Sequence, residues 1–136
     1  MMKDTGPNPL IVNIEDLTLR NTNFRTTLWT GAHMQLTVMS LKPGEEIGLE
    51  VHEDHDQFIR IEEGEATAYL GSTEDSLEAT PAAAESVVMV PAGQWHNLVN
   101  TGSVDLKLYS IYSPAEHEHG TVHVTKAEAD ADEHEH

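Results

Sequence analysis

The chain has 136 residues, 24 Asp and Glu against seven Lys and Arg, a net charge of −17 and no cysteine. That length points to one domain with one core. The charge counts against nucleic acid and anionic membrane as partners, and the missing thiols exclude disulfides and sulfur-ligated metal. The acidity suits general solubility, with a high-salt cytoplasm as the less favoured alternative. No apolar run resembles a signal peptide or a membrane span, so a cytoplasmic location is the expectation.

In chain order, residues 1–23 form an N-terminal segment. Its stretch LIVNIEDL, residues 10–17, reads as an edge or exchanged strand. From residue 24 to 113, turn signals recur at short intervals: Pro43-Gly44, Glu63-Gly64, Gly71-Ser72, Pro91-Ala92-Gly93 and Thr101-Gly102. Between them lie runs rich in Val, Ile, Leu, Thr and Tyr. Strands are predicted over residues 33–41, 57–62, 65–70, 86–90, 94–100 and 105–112, with a loop and room for one short strand over 72–85. This spacing marks an all-β sandwich or barrel. Met34, Met39 and Met89 read as core. Residues 114–136 form an acidic, His-rich tail that reads as solvated. Its Thr125-Lys126-Ala127-Glu128 predicts a capping box and a short helix. His117, His119, His123, His134 and His136 leave open a metal-scavenging role.

The chemistry concentrates in two stretches, residues 44–64 and 91–100. Glu50 and His52 are two apart and share a face of a strand. The polar run 53–56 reads as a turn, which returns Gln57 to that face. His96 arrives just after the Pro91-Ala92-Gly93 turn. No Ser-His-Asp spacing and no glycine-rich phosphate loop is present. Gln35, Trp29, Arg60, Tyr109 and Tyr112 are weaker pocket candidates, and Trp95 reads as packing on the opposite face from His96.

These two stretches resemble the cupin motifs G-x5-H-x-H-x3–4-E-x6-G and G-x5-P-x-G-x2-H-x3-N. Gly44, Glu50, His52, Gln57 and Gly64 fall on the first; Pro91, Gly93, His96 and Asn100 fall on the second, whose leading glycine is Glu85. The resemblance implies a jelly-roll (double-stranded β-helix) barrel with a short C-terminal helix. It also implies a metal site made by Glu50, His52, Gln57 and His96. Glu50 stands where cupins carry a first His, and Gln57 where they carry Glu. The exchange keeps four donors and one negative charge. An oxygen-richer set suits Fe, Mn, Ni, Co or Zn, and two His with one carboxylate suit Fe(II) and O2 chemistry. His55 falls in the turn and is the weaker ligand candidate, otherwise a pocket-rim residue. Glu50 is a candidate base if it leaves the metal.

The family contains dioxygenases, isomerases and non-catalytic binders, and fold does not choose among them. The expectation is a metal-dependent enzyme on a small oxygenated molecule, foremost a dioxygenase. A sugar isomerase or epimerase and a non-catalytic small-molecule binder are the alternatives. A homodimer is expected.

Overall fold

The computed structural model describes residues 2–134, without the side chains of 133 and 134. Helix α1 (Ile14–Arg20) precedes nine strands: β1 (Arg25–Thr30), β2 (Gln35–Leu41), β3 (Asp56–Glu63), β4 (Glu65–Gly71), β5 (Glu78–Ala83), β6 (Val87–Val90), β7 (Trp95–Asn100), β8 (Leu106–Ser113) and β9 (Val122–His123). Helix α2 (Lys126–His134) closes the chain. The strands form two antiparallel sheets, ordered β6-β3-β8-β2-β1-β9 and β5-β4-β7. They enclose one core in the jelly-roll arrangement. Among the described residues, no helix is long and apolar enough to cross a membrane.

Alternation decides which side chains enter that core. In β3, Gln57, Ile59 and Ile61 are buried while Phe58 and Arg60 are half-buried on the other face. The turn therefore does restore the parity of Gln57. In β7, His96, Leu98 and Asn100 point inward by the same period.

Register then grades the interior from apolar to polar. One cross-strand row joins Ile61, Leu108 and Met39 to Arg25. The next joins Ile59, Ser110, Thr37 and Thr27, and the last joins Gln57, Tyr112, Gln35 and Thr30. Beyond the first row lie Leu41 and Leu106, fully buried. One end of the barrel is thus sealed by aliphatic side chains, and the other holds polar groups that need partners.

Three expectations give way. Residues 14–20 are helical, where a strand was expected over 10–17: the Asn13 side chain caps Asp16 N, acids fill the first turn, and Arg20 pairs with Asp16. Met34 and Met89 are exposed, and Met39 alone of the three is core. The tail is not a free solvated segment. Its β9 pairs with β1, and Ala129 of α2 is buried in the core. The capping box forms as predicted: Glu128 N donates to Thr125 Oγ1, and Thr125 N donates to Glu128 Oε2. His136 and the His134 side chain lie outside the described residues.

Candidate metal centre

Short-range geometry brings Glu50 and His96 together. Residues 46 and 50 bridge to the free edge of β7, and Glu50 and His96 exchange two backbone hydrogen bonds of 3.0 and 2.9 Å. Directly opposed residues of an antiparallel pair project to the same face. His52, two residues on, joins them, with Gly93 N donating to its carbonyl at 2.8 Å. The result is a cluster in which His52 Nε2 lies 3.4 Å and His96 Nε2 3.7 Å from Glu50 Oε1.

Those separations test whether an ion fits. Two donors each about 2.1 Å from one ion lie at most about 4.2 Å apart. Both distances fall inside that limit. The donors are also unspent: His52 Nε2, His96 Nε2 and Gln57 Oε1 are buried without a hydrogen-bond partner among the described residues. Leaving such atoms unpaired costs about 1–3 kcal/mol each, and an ion would satisfy them.

Neighbours fix the donor atoms. His96 Nδ1 lies 3.0 Å from the Gln94 carbonyl. A carbonyl only accepts, so Nδ1 carries the proton and Nε2 presents its lone pair. The Gln57 amide nitrogen donates to Ser110 Oγ at 3.4 Å, which turns its carbonyl oxygen away from that contact. Gln57 itself is 2% exposed, on the inner face beside Tyr112.

Electrostatics favour a ligand role for Glu50. Burial alone would raise its carboxyl, but the hydrogen bonds and charge of His52 and His96 prevail and hold it at about 2. An acid that strong is a poor proton acceptor near neutral pH, which weakens the base role. Burial lowers His52, yet Glu116 and Glu50 more than reverse this and push it up to about 10, so in the metal-free protein the ring is cationic and an ion would have to displace its Nε2 proton.

His55 is not in that cluster. Its Nε2 donates to the Ala115 carbonyl at 3.1 Å, and its Nδ1 lies 2.9 Å from Asp54. It belongs instead to a second group with His52 and Glu116. Arg60 and Tyr109 face outward, with Arg60 paired to Glu62 and Tyr109 packed on Phe58. The indole of Trp29 donates to the Asn8 carbonyl. Asn100 of the second motif is structural, bonding the carbonyls of Leu41 and Val104.

Glu116 and His117 are site neighbours that sequence reasoning placed in the solvated tail. The chain after β8 crosses the polar end of the barrel. A cavity of about 130 Å³ remains beneath it, lined by Glu50, His52, Arg25, Glu116, His117 and others. His117 packs edge-on against Tyr112. Burial and the Arg25 charge push it down to about 3, so it stays neutral. No local signal marks these two residues, because their position depends on the return of the tail to β1.

Comparison with known proteins follows the same lines. Residues 37–112 match the family described as Cupin domain. The chain belongs to the cupin family. This cupin is 52% identical to the uncharacterised protein YrkC of Bacillus subtilis (strain 168), over 98% of this chain and 72% of the relative. It is 42% identical to the uncharacterised protein L612 of Acanthamoeba polyphaga mimivirus, over 88% and 74%. The crystal structure of BH2720 from Bacillus halodurans superposes with a TM-score of 0.94 at 52% identity, covering 96% of this cupin and 99% of that chain.

Proposed function

We propose that this cupin is a metal-dependent enzyme, a dioxygenase acting on a small oxygenated organic substrate. One observation carries the reading: His52 Nε2 and His96 Nε2, both buried without a hydrogen-bond partner among the described residues, converge on the partly buried Glu50 carboxylate. Glu50, His52, Gln57 and His96 would hold one divalent ion, Fe, Mn, Ni, Co or Zn. Such an ion supplies Lewis acidity and, as iron, reactivity toward O2. The chain supplies the rest. Gln94 and Ser110 orient two of the donors, and the overlying segment narrows the cavity. At roughly 30 Å³ per water, the cavity has room for about four, so the substrate is small. Its acidic lining, with Glu50, Glu116, Glu118 and Asp132 against Arg25, disfavours a phosphorylated sugar.

The test is oxygen uptake by anaerobically purified, Fe(II)-loaded protein with small diols, diketones and hydroxy acids. The reading predicts substrate-dependent uptake that His96→Ala abolishes. Turnover without uptake would reassign the reaction to isomerase chemistry, and tight binding without turnover would leave a binding module.

We also propose pairing with a second copy through the outer face of the large sheet. There Met89 is 63% exposed, and two apolar grooves meet at Ile111. The wild type should sediment as a dimer and Met89→Glu as a monomer; a monomeric wild type contradicts this.

A further inference from the structure

His52 is contacted from two sides. Its Nε2 faces Glu50, and its Nδ1 lies 2.9 Å from Glu116 Oε2 on the segment that crosses the barrel mouth. That contact is at ion-pair distance but is not aligned as a hydrogen bond, which leaves the buried Oε2 without another partner among the described residues. The ring therefore sits between the carboxylate of a candidate ligand and a carboxylate from a distant part of the sequence.

The crossing segment is anchored by side chains outside the Glu50, His52, His96 cluster, of which His55 packs edge-on against His52. Gln35 Oε1 accepts from Glu116 N at 3.2 Å and His117 N at 2.9 Å, and Gln35 Nε2 donates to the His117 carbonyl at 2.8 Å. Gln35 is fully buried on β2. His55 adds its bond to Ala115. Further along, Asp4 accepts from Gly120 N and from Thr30, tying the segment to the N-terminus. Three amide bonds from one buried glutamine fix the backbone at residues 116 and 117, and so fix where the Glu116 carboxylate can reach.

We propose that Glu116 is a positioning residue for His52, and that Gln35 and His55 hold it in place. This rests on the metal reading of the Glu50, His52, Gln57, His96 set. A carboxylate on Nδ1–H keeps the proton there, leaves Nε2 as the donor and increases its basicity. The segment after β8 is then part of the metal centre, and His55 serves it as a tether.

The same three side chains, His52, His55 and Glu116, are close enough to hold a cation themselves. One feature opposes a second ion beside the first: His52 would have to bind through both nitrogens at once and so lose both ring protons. His55 Nε2 already donates to Ala115, which leaves only its Nδ1, 2.9 Å from the Asp54 carboxylate and without a hydrogen-bond partner among the described residues, to bind one.

Zn(II) alone is the probe, titrated into full-length metal-free protein against a chromophoric chelator, with the His52 ring nitrogens followed by NMR. Glu116→Gln and Glu116→Ala should bind Zn(II) about 10–100-fold more weakly. Zn(II)-loaded wild type should show a protected His52 Nδ1 proton that Glu116→Ala loses. Gln35→Leu should weaken binding in the same direction, and combining it with Glu116→Ala should add little, because both act through one contact. Wild-type affinity and an unchanged Nδ1 signal in both Glu116 variants would overturn the positioning role. So would two Zn(II) per chain with one lost in both Glu116→Gln and His55→Ala, which would make the group a second metal site. Undiminished binding in His96→Ala would instead overturn the metal reading beneath it.

Discussion

At the scale of single residues, two half-buried histidines act in opposite directions on stability. His117 is held at about 3 by burial and Arg25, against about 6.5 in the unfolded chain. The unfolded state then binds the extra proton between those values, so stability falls as pH drops from about 6.5 toward 3. His52, raised to about 10, stabilises the metal-free fold fully below about 6.5 and loses that contribution as pH rises to 10. Glu50, held at about 2, contributes above about 4.5 and loses its effect only below that. The metal-free protein should therefore be most stable near pH 6.5. Between pH 4.5 and 6.5 only His117 of these three titrates. In His117→Gln, the urea midpoint should be flatter across that window than in wild type. A variant with the wild-type slope there would show that His117 is not buried as a neutral ring. The grouping of Glu50, His52 and His96 was legible from the spacing of the two cupin motifs, with the i, i+2 relation of Glu50 and His52 as the local part. The low pKa of Glu50 was not, since it depends on the His96 imidazole of a distant strand meeting that of nearby His52.

Among the elements, the turns carry the motif spacing. Gly64 sits at φ 102°, and a Cβ there would lie 3.1 Å from the Leu106 Cα and the Asp105 carbonyl. That turn accepts glycine for two reasons, conformation and space. Glu85, at the position of the second motif's glycine, has φ 75° between β5 and β6. A side chain there costs about 1–2 kcal/mol, partly offset because glycine gains freedom in the unfolded chain. Glu85→Gly should stabilise the protein by roughly 0.5–1 kcal/mol, read as a higher urea midpoint with unchanged slope. A lower midpoint would show that the glutamate makes compensating contacts. Most strands were legible from alternation and turn residues. Helix α1 was not, because Ile and Val ahead of Asn13 suggest a strand while the deciding signal is one cap with acids after it. Asn13→Ala should cost about 1 kcal/mol.

For the whole molecule, the organising feature is the polar end of a barrel whose other end is sealed by Leu41, Ile61, Leu106 and Leu108. The polar end gathers the donors, and the chain beyond β8 folds back across it. This closure was not legible, since an acidic, His-rich stretch has the composition of a solvated tail. What orders it is tertiary: Gln35 on β2, Asp4 near the N-terminus, and the pairing of β9 with β1. The central claim is that Glu50, His52, Gln57 and His96 hold one divalent ion. The measurement that tests it is elemental analysis of untagged, full-length protein purified without oxygen, beside His96→Ala and His55→Ala. About one metal ion per chain, lost in His96→Ala and kept in His55→Ala, is the predicted result. No bound metal in the wild type after reconstitution, or equal occupancy in His96→Ala, would contradict it.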